Sequence, residues 1–76
     1  MKSKKNNKAK QTVNQLLISA REEAGFTQKQ VSDLGILSQS ELSKIENGNR
    51  QISFDLVLKL AAAYEKEIMY FIPKDK

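Results

Sequence analysis

Two short helical patterns lie on either side of a glycine-containing break in the segment 25–53. Thr27 is followed three residues later by Gln30, which is the spacing of a capping box at the start of a helix. Ser38 and Glu41 repeat that spacing and mark the start of a second helix. The segment therefore predicts two short helices joined by a tight turn at Gly35, an arrangement that strongly limits the possible folds.

The chain on both sides of this segment is also helical in pattern. Apolar residues recur at helical spacing between Thr12, a predicted N-cap, and Gly25, a predicted stop. Ser53 begins a fourth helix, and the apolar run 68–72 is either a short fifth helix or a continuation of the fourth, ended by Pro73. No useful strand-like alternation is present. We expect an all-α fold, a compact bundle of about five short helices.

The predicted core consists of the apolar residues on the inner side of each helix. They are Val13, Leu16, Leu17 and Ala20 in the first helix, Val31 and Leu34 in the second, Leu42 and Ile45 in the third, and Leu56, Val57, Leu60, Ala61 and Tyr64 in the fourth. Phe71 is expected to close this core.

The residue inventory excludes several classes of function. The 76 residues include no cysteine and no histidine, so disulfides, zinc sites and histidine-based acid–base chemistry are not expected. None of the three glycines has a phosphate-binding spacing. We predict a binding module and not an enzyme, with no cofactor, metal or small-molecule substrate. No apolar run has the length of a membrane span or signal peptide, so we expect a cytoplasmic protein with no membrane partner.

Positive charge is concentrated at the N-terminus. Five lysines lie within residues 1–10, whereas residues 11–76 carry eight basic and nine acidic side chains. We therefore expect a basic, flexible arm at 1–11 and a domain at 12–76. The arm is either a solvated leader or a segment that follows DNA phosphates.

The central segment also contains a set of residues whose order and spacing identify the type of helix pair more closely. The set is Arg21, Gly25, Thr27-Gln28, Val31, Ser38, Leu42-Ser43, Glu46-Asn47-Gly48, Arg50 and Ser53. With these residues the chain resembles the lambda-repressor and Cro-type helix-turn-helix family, also called the XRE family, over roughly 13–72. That family often has glycine two residues before the position of Ser38, where this chain has Ile36. We expect Gly35 to take the positive φ angle instead, with Ile36 pointing inward.

The resemblance implies that the third helix is a recognition helix that contacts DNA bases. The base-reading candidates are Gln39, Ser40, Ser43 and Lys44. Gln can bond adenine N6 and N7, Lys can reach guanine, and Ser can bond several base edges. The candidates for contacts to the DNA backbone are Gln28, Lys29, Ser38, Asn47, Asn49 and Arg50. Gln28 could also brace Gln39 through a hydrogen bond. For Glu41 the two interpretations are a contact to cytosine N4 and the capping box with Ser38, and we favour the capping box.

Two further sets of contacts follow from the same resemblance. Arg21 and Glu46 are expected to form a partly buried ion pair that fixes the recognition helix. Leu58, Met69, Tyr70 and Ile72 offer more apolar surface than a small core can bury. They are the predicted interface of a homodimer.

The function implied is that of a sequence-specific transcriptional regulator that binds an operator in double-stranded DNA as a homodimer. Phage repressors, controllers of restriction–modification operons and antitoxins are relatives of this size, and the sequence does not choose among them. Two alternatives stay open. The chain could be the N-terminal DNA-binding half of a longer regulator, or an adaptor that uses the same fold to bind protein.

Overall fold

The computed structural model describes residues 12–72 and contains four α-helices and one 3₁₀-helix. The α-helices are α1 (Val13–Glu23), α2 (Gln28–Asp33), α3 (Gln39–Glu46) and α4 (Phe54–Tyr64), and the 3₁₀-helix is η1 (Ile68–Phe71). Residues 12–72 form no strand. The all-α prediction is confirmed, with the difference that the fifth element is a single 3₁₀ turn. The predicted basic arm (1–11) and Pro73 lie outside the described residues.

Side-chain caps begin each of the four α-helices at the predicted residue. Thr12, Thr27, Ser38 and Ser53 each accept a hydrogen bond from the backbone N–H three residues later. At the first three of these helices the third helical residue completes a capping box by accepting from the N-cap N–H. Each cap of this kind typically stabilises a helix by about 1 kcal/mol. These local bonds explain why helices as short as six and eight residues begin where they do.

The turn between α2 and α3 differs from one of the sequence-based predictions. Gly35 has a φ of 85°, as expected, and Ile36 is half-buried against the core. Leu34, however, was predicted to face inward and is 49% exposed, so that prediction was wrong. The helix ends at Asp33, and the turn at Gly35 redirects the chain. Leu37 consequently fills the core in place of Leu34.

The core joins all four α-helices and η1. Its buried apolar residues are Leu16, Leu17, Ala20, Val31, Leu37, Leu42, Ile45, Val57, Leu60, Ala61, Tyr64 and Phe71. The predicted burial of Phe71 is confirmed, whereas Val13 and Leu56 are only partly buried. Helix α3 packs against both α1 and α2. Burial of Leu42 and Ile45 fixes which side of α3 remains in solvent.

The chain reverses between α4 and η1 at a residue that is not glycine. Glu65 has a φ of 60° and a ψ of 44°, a left-handed conformation that ends α4. The N–H of Lys66 donates to the carbonyl of Ala61 at 2.9 Å and closes this turn. The apolar run 68–72 is therefore a separate element and not a continuation of α4. Within residues 12–72, no helix combines the length and apolarity needed to cross a membrane.

Candidate nucleic-acid interface

Helix α3 presents a polar face to solvent. Ser40 and Lys44 are exposed and lie opposite Leu42 and Ile45 on the helix. Gln39 is exposed and Ser43 half-buried, and both lie on one flank of this polar face. All four base-reading candidates are thus on the solvent side of a single helix. The side chains are short or unbranched polar groups that can donate and accept hydrogen bonds along base edges.

Most of the candidates for DNA-backbone contacts adjoin this face. Ser38, Asn47, Asn49 and Arg50 lie at the two ends of α3, and all four are exposed. The N–H of Asn49 donates to the carbonyl of Lys44 at 2.8 Å, which holds the turn against the last turn of α3. This bond fixes the position of the turn relative to the C-terminal end of α3.

The two candidates in α2 differ from each other. Lys29 is exposed and makes a weak ion pair, at 3.6 Å, with Asp33 one turn later. Gln28 is half-buried, and its Nε2 donates to Glu46 Oε1 at 2.9 Å. This bond replaces the one expected to Gln39, because the buried Glu46 carboxylate is a stronger acceptor than a solvated amide. Gln28 therefore connects α2 to α3 from within the domain.

Arg21 and Glu46 form a bidentate ion pair beneath α3. Arg21 Nε donates to Glu46 Oε2 at 2.8 Å, and Arg21 Nη2 donates to Glu46 Oε1 at 3.2 Å. The side chains are only 13% and 3% exposed. The structure thus brings together the two residues that the resemblance pairs. A planar guanidinium bonded to both carboxylate oxygens joins α1 to α3 in a defined geometry.

Further bonds complete this network. Arg21 Nη1 donates to the carbonyl of Phe26 at 2.8 Å, so the same side chain also holds the loop before α2. The hydrogen bond to Glu46 raises the pKa of Arg21, and this effect outweighs the opposing effect of burial. Asn14 Nδ2 makes a long contact of 3.5 Å with the carbonyl of Glu46. Helices α1 and α2 therefore hold the last turn of α3 through polar bonds as well as apolar packing.

Tyr64 connects α4 to the same region and has an unusual hydroxyl. Its ring lies 6.2 Å from that of Phe26, measured between centroids. Among residues 12–72, its Oη is the buried side-chain polar atom that has no hydrogen-bond partner. The pKa of Tyr64 is raised to about 12, mainly by burial and also by the nearby Glu46 carboxylate, while Arg21 opposes the increase. Buried polar groups without partners cost stability.

Replacing Tyr64 by Phe should therefore leave stability unchanged or raise it at neutral pH. The raised pKa also predicts a pH effect. Between the ordinary value of 10.0 and about 12 the unfolded chain binds fewer protons at Tyr64 than the folded chain, so wild-type stability must fall as pH rises. Relative to Tyr64→Phe, the wild type should lose about 1.4 kcal/mol by pH 11. Urea denaturation of both proteins at pH 8 and pH 11 measures this, and a pH-independent difference would contradict it.

Glu41 has two partners at the start of α3. Its Oε1 accepts from the N–H of Ser38 at 3.2 Å, so the expected capping box is formed. Its Oε2 lies 3.4 Å from Arg50 Nη1 in the turn after α3. The sequence did not indicate this second contact, because the two residues are nine positions apart and belong to different elements.

Several large apolar side chains are exposed on the C-terminal half of the domain. Leu58, Met69 and Ile72 are 43%, 71% and 57% exposed, whereas Tyr70 is half-buried. Tyr70 packs edge-on against Phe71 and lies 4.7 Å below the Lys66 ammonium. Phe54, which the sequence-based reasoning missed, is 67% exposed. The sequence could have indicated this residue, because Phe54 precedes Leu58 by four positions and residues at that spacing share one side of a helix.

Comparison with known proteins agrees with this geometry. The family model described as helix-turn-helix matches residues 17–71, which is well over half of the chain and includes α2, α3 and the turn between them. No curated protein gives a significant match. The domain of this family is a DNA-binding regulatory domain. The chain belongs to the helix-turn-helix family of lambda-repressor and Cro type, and it is a DNA-binding transcriptional regulator of the XRE class.

Proposed function

We propose that the protein binds an operator as a homodimer and inserts α3 of each copy into the major groove. The observation that carries this proposal is the two-sided character of α3. Leu42, Ile45 and Glu46 are buried on one side, and the other side carries polar groups suited to base edges. A rigidly anchored helix with one free polar face is what direct reading of a groove requires.

Individual roles follow from the chemistry of each side chain. We assign Gln39 to adenine, where its amide can bond N6 and N7 together, and Lys44 to guanine O6 or N7. Ser40 and Ser43 are short enough to bond base edges where the helix lies close to the groove floor. These four residues set which sequence is bound.

Contacts to the phosphates would come from both ends of α3 and from the start of α2. Arg50 and Lys29 supply the charge, while Ser38, Asn47 and Asn49 supply neutral donors. Gln28 would contact a phosphate only through its backbone N–H, because its side-chain amide is bonded to Glu46. These contacts position the domain without reading sequence.

The exposed apolar residues support the homodimer. We propose that Leu58, Met69, Tyr70 and Ile72 form the interface and that Phe54 extends it along α4. A two-fold dimer would set the two α3 helices about 34 Å apart, one turn of DNA, on a near-palindromic site.

Selection of bound duplexes from a random DNA pool tests the operator proposal. We expect an enriched sequence with two inverted half-sites whose centres lie about 10 base pairs apart. Binding should also weaken steeply with salt, because phosphate contacts release counterions. Failure to bind any duplex at low salt would refute the proposal and favour the protein-binding adaptor.

Equilibrium sedimentation tests the dimer separately. At tens of micromolar the wild type should have the mass of a dimer, and Met69→Asp should shift it to the monomer because a charge is then buried in the interface. Leu34→Asp is the matched control, since Leu34 is also exposed but lies in α2, outside the proposed interface. A monomeric wild type, or equal effects of the two substitutions, would count against this interface.

A further inference from the structure

Glu41 is an acidic side chain on the face proposed to meet DNA. Helix α3 contains two acidic residues, and Glu46 is buried in its ion pair with Arg21. Glu41 is left on the solvent side with its side chain 43% exposed. A carboxylate in that place repels phosphates, so its presence raises the free energy of every DNA complex that does not give it a partner.

The capping role does not require a negative charge. Glutamine serves equally in the third helical position of a capping box, because the amide oxygen can accept from the N-cap N–H. The boxes of α1 and α2 do use glutamine, at Gln15 and Gln30. The charge at position 41 adds a modest favourable interaction with the N-terminal end of the α3 dipole, but α1 and α2 begin without any acidic residue in their first turn, so the start of α3 does not depend on it.

The carboxylate of Glu41 lies next to the guanidinium of Arg50. The contact of 3.4 Å is between side chains 52% and 43% exposed, and exposed ion pairs of this kind contribute little to folding. Arg50 is also a proposed phosphate contact. In the free protein its guanidinium has an anionic partner already, and a phosphate must compete with that partner.

We propose that Glu41 determines specificity by opposing DNA binding at non-operator sequences, an inference that rests on the proposed function. On arbitrary DNA, Arg50 is shared between Glu41 and a phosphate, so Glu41 Oε2 faces the phosphates with only a weakened partner. On the operator, Arg50 leaves Glu41 to bind a phosphate. The N4 amino group of a cytosine then donates to Glu41 Oε2 and replaces the lost ion pair. Glu41 thus weakens non-operator binding more than operator binding.

Glu41→Gln is the test, because it keeps the capping box and removes only the charge. Binding to a selected operator duplex and to a scrambled duplex is measured by fluorescence anisotropy across a salt series. On the scrambled duplex we expect about 10-fold tighter binding at low salt and a salt slope steeper by about one unit, since Arg50 becomes fully available. On the operator we expect no gain, so the ratio of the two affinities falls about 10-fold.

Two controls separate this mechanism from a general effect of charge. Asp33→Asn removes an exposed acid that is paired with Lys29 in a similar way, and it should leave the affinity ratio unchanged. In an Arg50→Gln background, Glu41→Gln should no longer steepen the salt slope. Equal gains on both duplexes, or an unchanged ratio and slope, would overturn the inference while leaving the proposed function intact. A wild type that binds neither duplex would overturn both.

Discussion

Glu46→Gln is expected to lower the free energy of unfolding by about 3 kcal/mol. The substitution leaves the guanidinium of Arg21 largely buried without a counter-charge. In the wild type Gln28 Nε2 donates to a carboxylate oxygen of Glu46. In the variant the amide of Gln28 faces a second amide at position 46, which is a weaker acceptor. Urea denaturation at neutral pH measures the change. We expect weaker DNA binding as well, because the pair sets how α3 projects from α1.

Two comparisons identify the cause of that loss. Glu41→Gln makes the same chemical change at an exposed position of the same helix and should alter stability by no more than about 0.5 kcal/mol. The double variant Arg21→Met/Glu46→Leu should be more stable than Glu46→Gln, since it leaves no unpaired buried charge. Unchanged stability and DNA affinity in Glu46→Gln would show that the ion pair does not fix the recognition helix.

Gln39→Ala and Lys44→Ala are expected to relax sequence preference without destabilising the fold. Both residues are exposed, so truncation leaves the core intact. Each good side-chain contact to a base contributes about 1–3 kcal/mol of discrimination. The variants should therefore lose preference at different base pairs of each half-site, as repeated duplex selection would reveal.

Arg50→Ala is the contrasting control for these two substitutions. As a phosphate contact it should weaken binding similarly on all sequences and reduce the salt slope by about one unit. If Gln39→Ala and Lys44→Ala returned the same preferred sequence as the wild type, the proposed reading face would be wrong.

Local features of this fold could be predicted well from the sequence. The four caps and the positive φ of Gly35 depend on residues that are close in the chain, and the structure places them where they were expected. The sequence did not reveal the left-handed conformation of Glu65, the residue that separates α4 from η1. Glu65 carries none of the usual signals for that conformation, which are glycine and asparagine.

The polar contacts between elements were harder to predict. Arg21 and Glu46 were paired only through the family resemblance, since they are 25 residues apart. The bond from Gln28 to Glu46 and the contact between Glu41 and Arg50 depend on how α2, α3 and the following turn pack. Such distances are fixed by tertiary structure, and residue types alone do not determine them.

If the domain binds DNA as proposed, the polar face of α3 is the surface that meets the duplex. Titration of an operator duplex into ¹⁵N-labelled protein, followed through the amide chemical shifts, tests this assignment. The largest shifts should lie in the side-chain amide of Gln39 and in the backbone of residues 38–50. Small changes are expected around two lysines outside the helix-turn-helix, Lys59 in α4 and Lys66 in the turn that follows it. Large shifts around those two lysines, with residues 38–50 unaffected, would contradict the assignment.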